Sequence, residues 1–125
     1  MAPTRLTLDV PRDAVAAAFA RDRLTAAFPD LPRTTTRDVL LAASELVTNA
    51  VRHGRGAIRL TVERLPDRLR LEVVDEGDAA WEVRPEPPDR TGGWGLHIIE
   101  ALSLRWGSFP GTTHVWCEIP LAPAD

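Results

Sequence analysis

A chain of 125 residues, 44% of them hydrophobic, is long enough to bury a real core and is expected to form one domain, 1–125. Charged residues make up 26% with a net charge of −3, which excludes a disordered chain and argues against a dedicated nucleic-acid binder. The single cysteine, Cys117, excludes an internal disulfide, and the absence of lysine excludes a catalytic lysine. MAPTRLTLDV has no apolar signal-like core, and no run approaches the roughly 20 apolar residues that cross a bilayer. A cytoplasmic protein without direct membrane or nucleic-acid contact is the expectation.

TRLTLDV (4–10) alternates polar and apolar residues and predicts a strand. Pro11 and Asp13 open DAVAAAFARDRLTAAF, a run of strong helix formers that ends before Pro29. After the loop PDLPRTTT, Thr35 or Thr36 is placed to cap a second helix from about Arg37 to His53, stopped by Gly54. AIRLTVERL (57–65) and LRLEVVDEG (69–77) predict a hairpin turning at PDR. Residues 78–93 form a Pro- and Gly-rich loop, longer than most connections in compact domains, as lids and binding loops often are. WGLHIIEALSLRW (94–106) predicts an amphipathic helix, and THVWCEIPL a last strand. The expected order is β-α-α-β-β-loop-α-β-β. It implies an α+β, two-layer sandwich: a mixed, mostly antiparallel sheet covered on one face by three helices.

Three features fall at the ends of these elements. In ELVTNAVRHG (45–54), Glu45 and Asn49 lie four residues apart, only about 40° apart on one helical face. An unpaired carboxylate is expensive to bury, so this stripe faces either water or a polar ligand. An Asn oxygen is a hard ligand suited to Mg²⁺, and a Glu one turn away can take a proton from an attacking hydroxyl. Asp75 ends the run LRLEVVD. It is either a turn-making Asp or an acceptor for a ligand amine; an adenine amino group would suit it and guanine O6 would be repelled. TGGWG (91–95) runs into a helix, where unpaired N–H groups and close backbone approach favour phosphate, unless it is only a flexible helix entry. His53 continues the polar stripe; His97 and His114 lack partners at metal-ligand spacing and read as structural.

ELVTNAVRHG resembles the N box of the GHKL ATPases, VVDEG (73–77) their G1 box, and TGGWGLHII (91–99) their G2 box, all three in order. Among these ATPases the chain is most similar to the small bacterial serine-protein kinases that act as anti-sigma factors. The resemblance runs from the first strand to VWCEIPL. It implies ATP and Mg²⁺ as cofactors, with Asn49 holding the ion, Glu45 as general base, and Asp75 binding the adenine amine. Gly77 would pass close to the base. Arg90, Gly92, Gly93, Gly95 and Leu96 would surround the phosphates, and Thr113 would sit near Asp75. The implied partner is an anti-anti-sigma factor that offers a serine, competing with a sigma factor; a homodimer is also implied. Asp78 and Ala79 stand where a second G1 glycine is usual, Trp94 where the G2 box commonly has a polar residue, and GTT where a lysine is common. These departures leave a second reading open, a regulatory module that acts by protein association alone. An ATPase subunit of a larger assembly fits less well, because those usually append a transducer domain.

Overall fold

The computed structural model describes residues 4–77, 95–109 and 113–125. Strand β1 (Arg5–Val10) leads into helices α1 (Ala16–Ala27) and α2 (Arg33–His53). The hairpin β2 (Ile58–Arg64) and β3 (Arg68–Val74) follows, then α3 (Gly95–Leu102), β4 (Arg105–Ser108) and β5 (Val115–Pro120).

The strands form one sheet in the order β1-β2-β3-β5-β4, and every pairing among the described residues is antiparallel. Register follows from burial. Leu8 faces Leu60, Leu60 faces Val73, and Leu71 faces Cys117, so one face of the sheet is apolar across its width. A slip of one residue would turn Leu60, Leu71 and their neighbours towards water. The helices cover that face. α2 presents Val39, Ala42, Ala43, Leu46, Val47 and Ala50 as a helical stripe, and α1 answers with Ala16, Ala20 and Leu24. The small alanines allow the two helices to pack closely; Ala20, Ala42 and Ala43 are fully buried. The α+β sandwich expected from the sequence is therefore the fold.

Three element boundaries differ from the expectation. α1 begins at Ala16, because the Asp13 carboxylate instead accepts the N–H of Val15 (2.9 Å) and holds 13–15 as a turn. α2 begins at Arg33, four residues before the expected start, and Thr35 and Thr36 lie inside it. Its first N–H groups are served from far along the chain: Arg33 N–H donates to the Asp125 carboxylate (2.8 Å). Thr35 Oγ1 meanwhile accepts from Ala122 N–H (2.8 Å). α3 stops at Leu102, and 105–108 is a strand rather than the helix end. Pairing with β5 wins there: Leu104 N–H donates to Glu118 O (2.8 Å), and Trp106 aligns with Cys117.

The other face of the sheet is charged and aromatic. The Arg70 and Arg105 guanidiniums lie 5.2 and 5.9 Å from the Trp116 ring centroid. Glu118 is only 3% exposed and is gripped by Arg105 (2.8 and 2.9 Å) and Arg68 (2.6 Å). The hydrogen bonds from Arg105, then those from Arg68, hold its carboxyl below the ordinary value against the opposing cost of burial. Burial pushes the Cys117 thiol up to about 12, so it packs as an apolar residue. Among the described residues no helix is long and apolar enough to cross a membrane.

A depressed carboxyl pKa contributes stability that is present above the unfolded value and lost as pH falls through the folded one. Glu118→Gln is therefore expected to lower the melting temperature by several degrees at pH 7. The deficit should shrink below the ordinary carboxyl value of 4.5, as thermal melts at pH 3 to 8 would record.

Candidate functional site

Asp75 follows β3 directly, and its side chain is 1% exposed. Its Oδ1 accepts the N–H of Gly77 (2.7 Å) and the hydroxyl of Thr113. These two bonds fix the carboxylate plane. Its Oδ2 is buried and, among the described residues, has no hydrogen-bond donor; Arg12 Nη2 stands 3.8 Å away. A buried acceptor without a donor is costly unless a ligand supplies one.

Asp75 fits there because Gly54 has no side chain. A Cβ on Gly54 would fall 1.6 Å from Asp75 Oδ2 and 2.8 Å from Ala50 O. The glycine expected as a helix stop does follow α2, but in an extended conformation (φ −90°, ψ −168°). Close approach, rather than a left-handed backbone, is what requires glycine at 54. The connection after α2 is latched to the end of β3 by two further bonds. Glu76 N–H donates to Arg55 O (2.8 Å), and the Glu76 carboxylate accepts Ala57 N–H (2.7 Å). Gly56, at φ +69°, makes the turn between them. On the other side of Asp75, a Cβ on Gly77 would stand 2.9 Å from its Oδ1 and 3.1 Å from Thr113.

The stripe on α2 lies beside this cluster. Asn49 precedes Ala50, whose carbonyl touches the Gly54 position, and it is half-buried. Glu45, one turn earlier, is half-buried against α3: a Cβ on Gly95 would lie 2.9 Å from its Oε2. Burial raises the Glu45 carboxyl above the ordinary 4.5, which makes it a stronger base than a solvated carboxylate. The structure thus brings Asp75, Gly77 and Thr113 together, and Glu45 together with Gly95. Leu96 points into the core, 8% exposed, which leaves its backbone for any ligand. Arg90, Gly92 and Gly93 lie outside the described residues, as do Asp78, Ala79 and Trp94.

Two contributors escaped the sequence reading. Gly54 was read only as a helix stop. Arg12, in the β1–α1 connection, donates to Ala50 O (2.7 Å), Val51 O (3.2 Å) and Gly56 O (2.7 Å). It satisfies carbonyls in the last turn of α2 from 38 and 39 residues away, and no local signal marks it.

A family model described as the histidine kinase-like ATPase domain matches residues 10–116, and the chain belongs to that family. Curated relatives include the serine-protein kinase RsbW of Staphylococcus aureus strains JH9, Newman and JH1. Each is 34% identical over 52% of this chain and 52% of the relative. The chain therefore spans about half the length of the curated relatives it matches.

Gly54→Ala is expected to push Asp75 from its seat and weaken nucleotide binding at least about tenfold, ~1.4 kcal/mol, by equilibrium titration. Glu45 should behave oppositely to Glu118. A raised carboxyl pKa contributes stability below the unfolded value that is lost as pH rises through the folded one. Glu45→Gln should then melt higher than wild type at pH 7, with the gain vanishing below pH 4.5.

Proposed function

We propose that residues 1–125 act as one ATP-binding domain that transfers the γ-phosphoryl group of ATP to a serine of a partner protein, with Mg²⁺ required. The observation that carries this reading is the Asp75 carboxylate, buried, rigidly held on one oxygen and, among the described residues, without a donor on the other. Such an acceptor suits the adenine amino group. Guanine would set its O6 acceptor against the carboxylate, a mismatch that typically costs several kcal/mol. Gly54 leaves room for the carboxylate itself, and Gly77 keeps a side chain away from its Oδ1.

Asn49 would hold the metal through its side-chain oxygen. Among the described residues no three His, Cys, Asp or Glu side chains form a metal cage. That accords with an ion held by one amide oxygen, phosphates and water. When bound there, the ion would supply charge neutralisation on the phosphates. Glu45 takes the proton from the serine hydroxyl as its oxygen bonds to the γ-phosphorus, and ADP leaves. Gly93 and Gly95, with Arg90, Gly92 and the Leu96 backbone, would offer donors to the phosphates at the start of α3.

The partner in this reading is an anti-anti-sigma factor, and a sigma factor competes for the same protein. Phosphate on the partner's serine adds about two negative charges and breaks that interface. The protein would act in the cytoplasm, as a homodimer. The departures at Asp78, Ala79 and Trp94 favour the second reading, a module that binds nucleotide and partner without transfer.

Incubation with γ-labelled ATP, Mg²⁺ and a candidate partner separates the two. Wild type should label a serine. Glu45→Ala should lose at least about 100-fold in rate, within the usual range for a general base, while still binding ATP. Unchanged transfer in Glu45→Ala would remove Glu45 from the mechanism. ATP binding and partner binding without label would favour the association module.

A further inference from the structure

Arg12 is the feature that the proposed chemistry does not use. Its side chain is 26% exposed, against 64% for Arg59 and 74% for Arg37, so it has given up much of its solvent. The guanidinium presents five donors in a rigid plane. Nε is committed to Gly56 O (2.7 Å), and Nη1 to Ala50 O (2.7 Å) and Val51 O (3.2 Å). These commitments fix where Nη2 can go. It is buried, 3.8 Å from Asp75 Oδ2, which is also buried, and among the described residues neither atom has a hydrogen-bond partner. Two opposite charges therefore face each other without closing into a hydrogen bond.

We propose that Arg12 is a positioning residue for purine recognition: it sets the Asp75 carboxylate on the end of α2 while leaving Oδ2 free to accept a hydrogen bond from a ligand amine. A bidentate arginine would hold Asp75 as firmly but take up an acceptor site on each oxygen. Anchored by three backbone carbonyls, Arg12 supplies its charge but not its hydrogen bond. The anchor also joins the two halves of the site. Two of the carbonyls it grips belong to the turn of α2 that follows Asn49 and the third to Gly56 in the connection beyond it, and the carboxylate it faces follows the end of β3. Pro11 and the Asp13–Val15 turn limit the backbone on either side of it, so the guanidinium is set in place by the β1–α1 connection.

The proposal rests on the reading of Asp75 as the amine acceptor, and the test keeps the two apart. Wild type, Arg12→Met and Arg12→Lys are titrated with ATP and with purine riboside triphosphate, which lacks only the 6-amino group. Thermal melts accompany each titration. Wild type should prefer ATP by at least tenfold. Arg12→Met should bring the ratio to within threefold, and Arg12→Lys, which keeps the charge without the planar fork, should fall between. If Arg12→Met does not fold, the ratio in Arg12→Lys decides alone. A merely structural arginine would weaken both nucleotides together and leave the ratio intact in either variant, which overturns the proposal. If wild type itself did not distinguish the two nucleotides, the Asp75 reading would fall, and the role of Arg12 with it.

Discussion

The contact on which the site depends is between a carboxylate and a missing side chain. Asp75 Oδ2 occupies the space where a Cβ of Gly54 would be. That approach lets the end of β3 dock on the last turn of α2. The Glu76–Ala57 and Glu76–Arg55 bonds then close the connection around it. Helix and sheet are fixed elsewhere by apolar packing, which is strong but tolerant of small shifts. Here backbone and carboxylate meet with no room to adjust, so the end of the helix that carries Asn49 is set against the strand that delivers Asp75.

Two carboxylates show how differently the protein treats negative charge. Glu118, on the face of the sheet away from the helices, is nearly as buried as Asp75 but is gripped by Arg68 and Arg105 and held ionised. It ties β5 to β3 and β4. Glu45 is half-buried beside Gly95, and burial dominates its shift, in the direction that disfavours its charge. The first arrangement contributes to stability. The second costs some, because burial disfavours the charged form. The long, unsatisfied approach of Arg12 to Asp75 has the same character, since a closed ion pair would be the more stable choice and the less useful one.

Much of the fold was legible because burial writes a period into the chain. LTLDV, IRLTV and LRLEVV alternate as half-buried strands must, and the apolar positions of α2 recur at helical spacing. The candidate site was legible where its side chains share one element, as with Glu45 and Asn49 one turn apart. What was not legible depends on partners distant in sequence. The start of α2 is capped by Asp125, 92 residues away, so the threonines placed to cap it lie inside the helix. The end of α3 yields to strand pairing with β5, although ALSLRW continues a helical pattern. Arg12 looks like any turn arginine until its three carbonyls are known. Gly54 reads as a helix stop in either case; only the fold shows that its lack of a Cβ matters more than its backbone freedom.

The proposed function requires the α2 stripe and Asp75 to face one nucleotide. It is tested most directly by calorimetric titration of the protein with ATP and with GTP, with and without Mg²⁺, beside Asn49→Ala and Asp75→Ala. The expected result is saturable ATP binding that needs Mg²⁺, rejects GTP and weakens in both variants. Equal binding of ATP and GTP, or ATP binding untouched in Asp75→Ala, would contradict it.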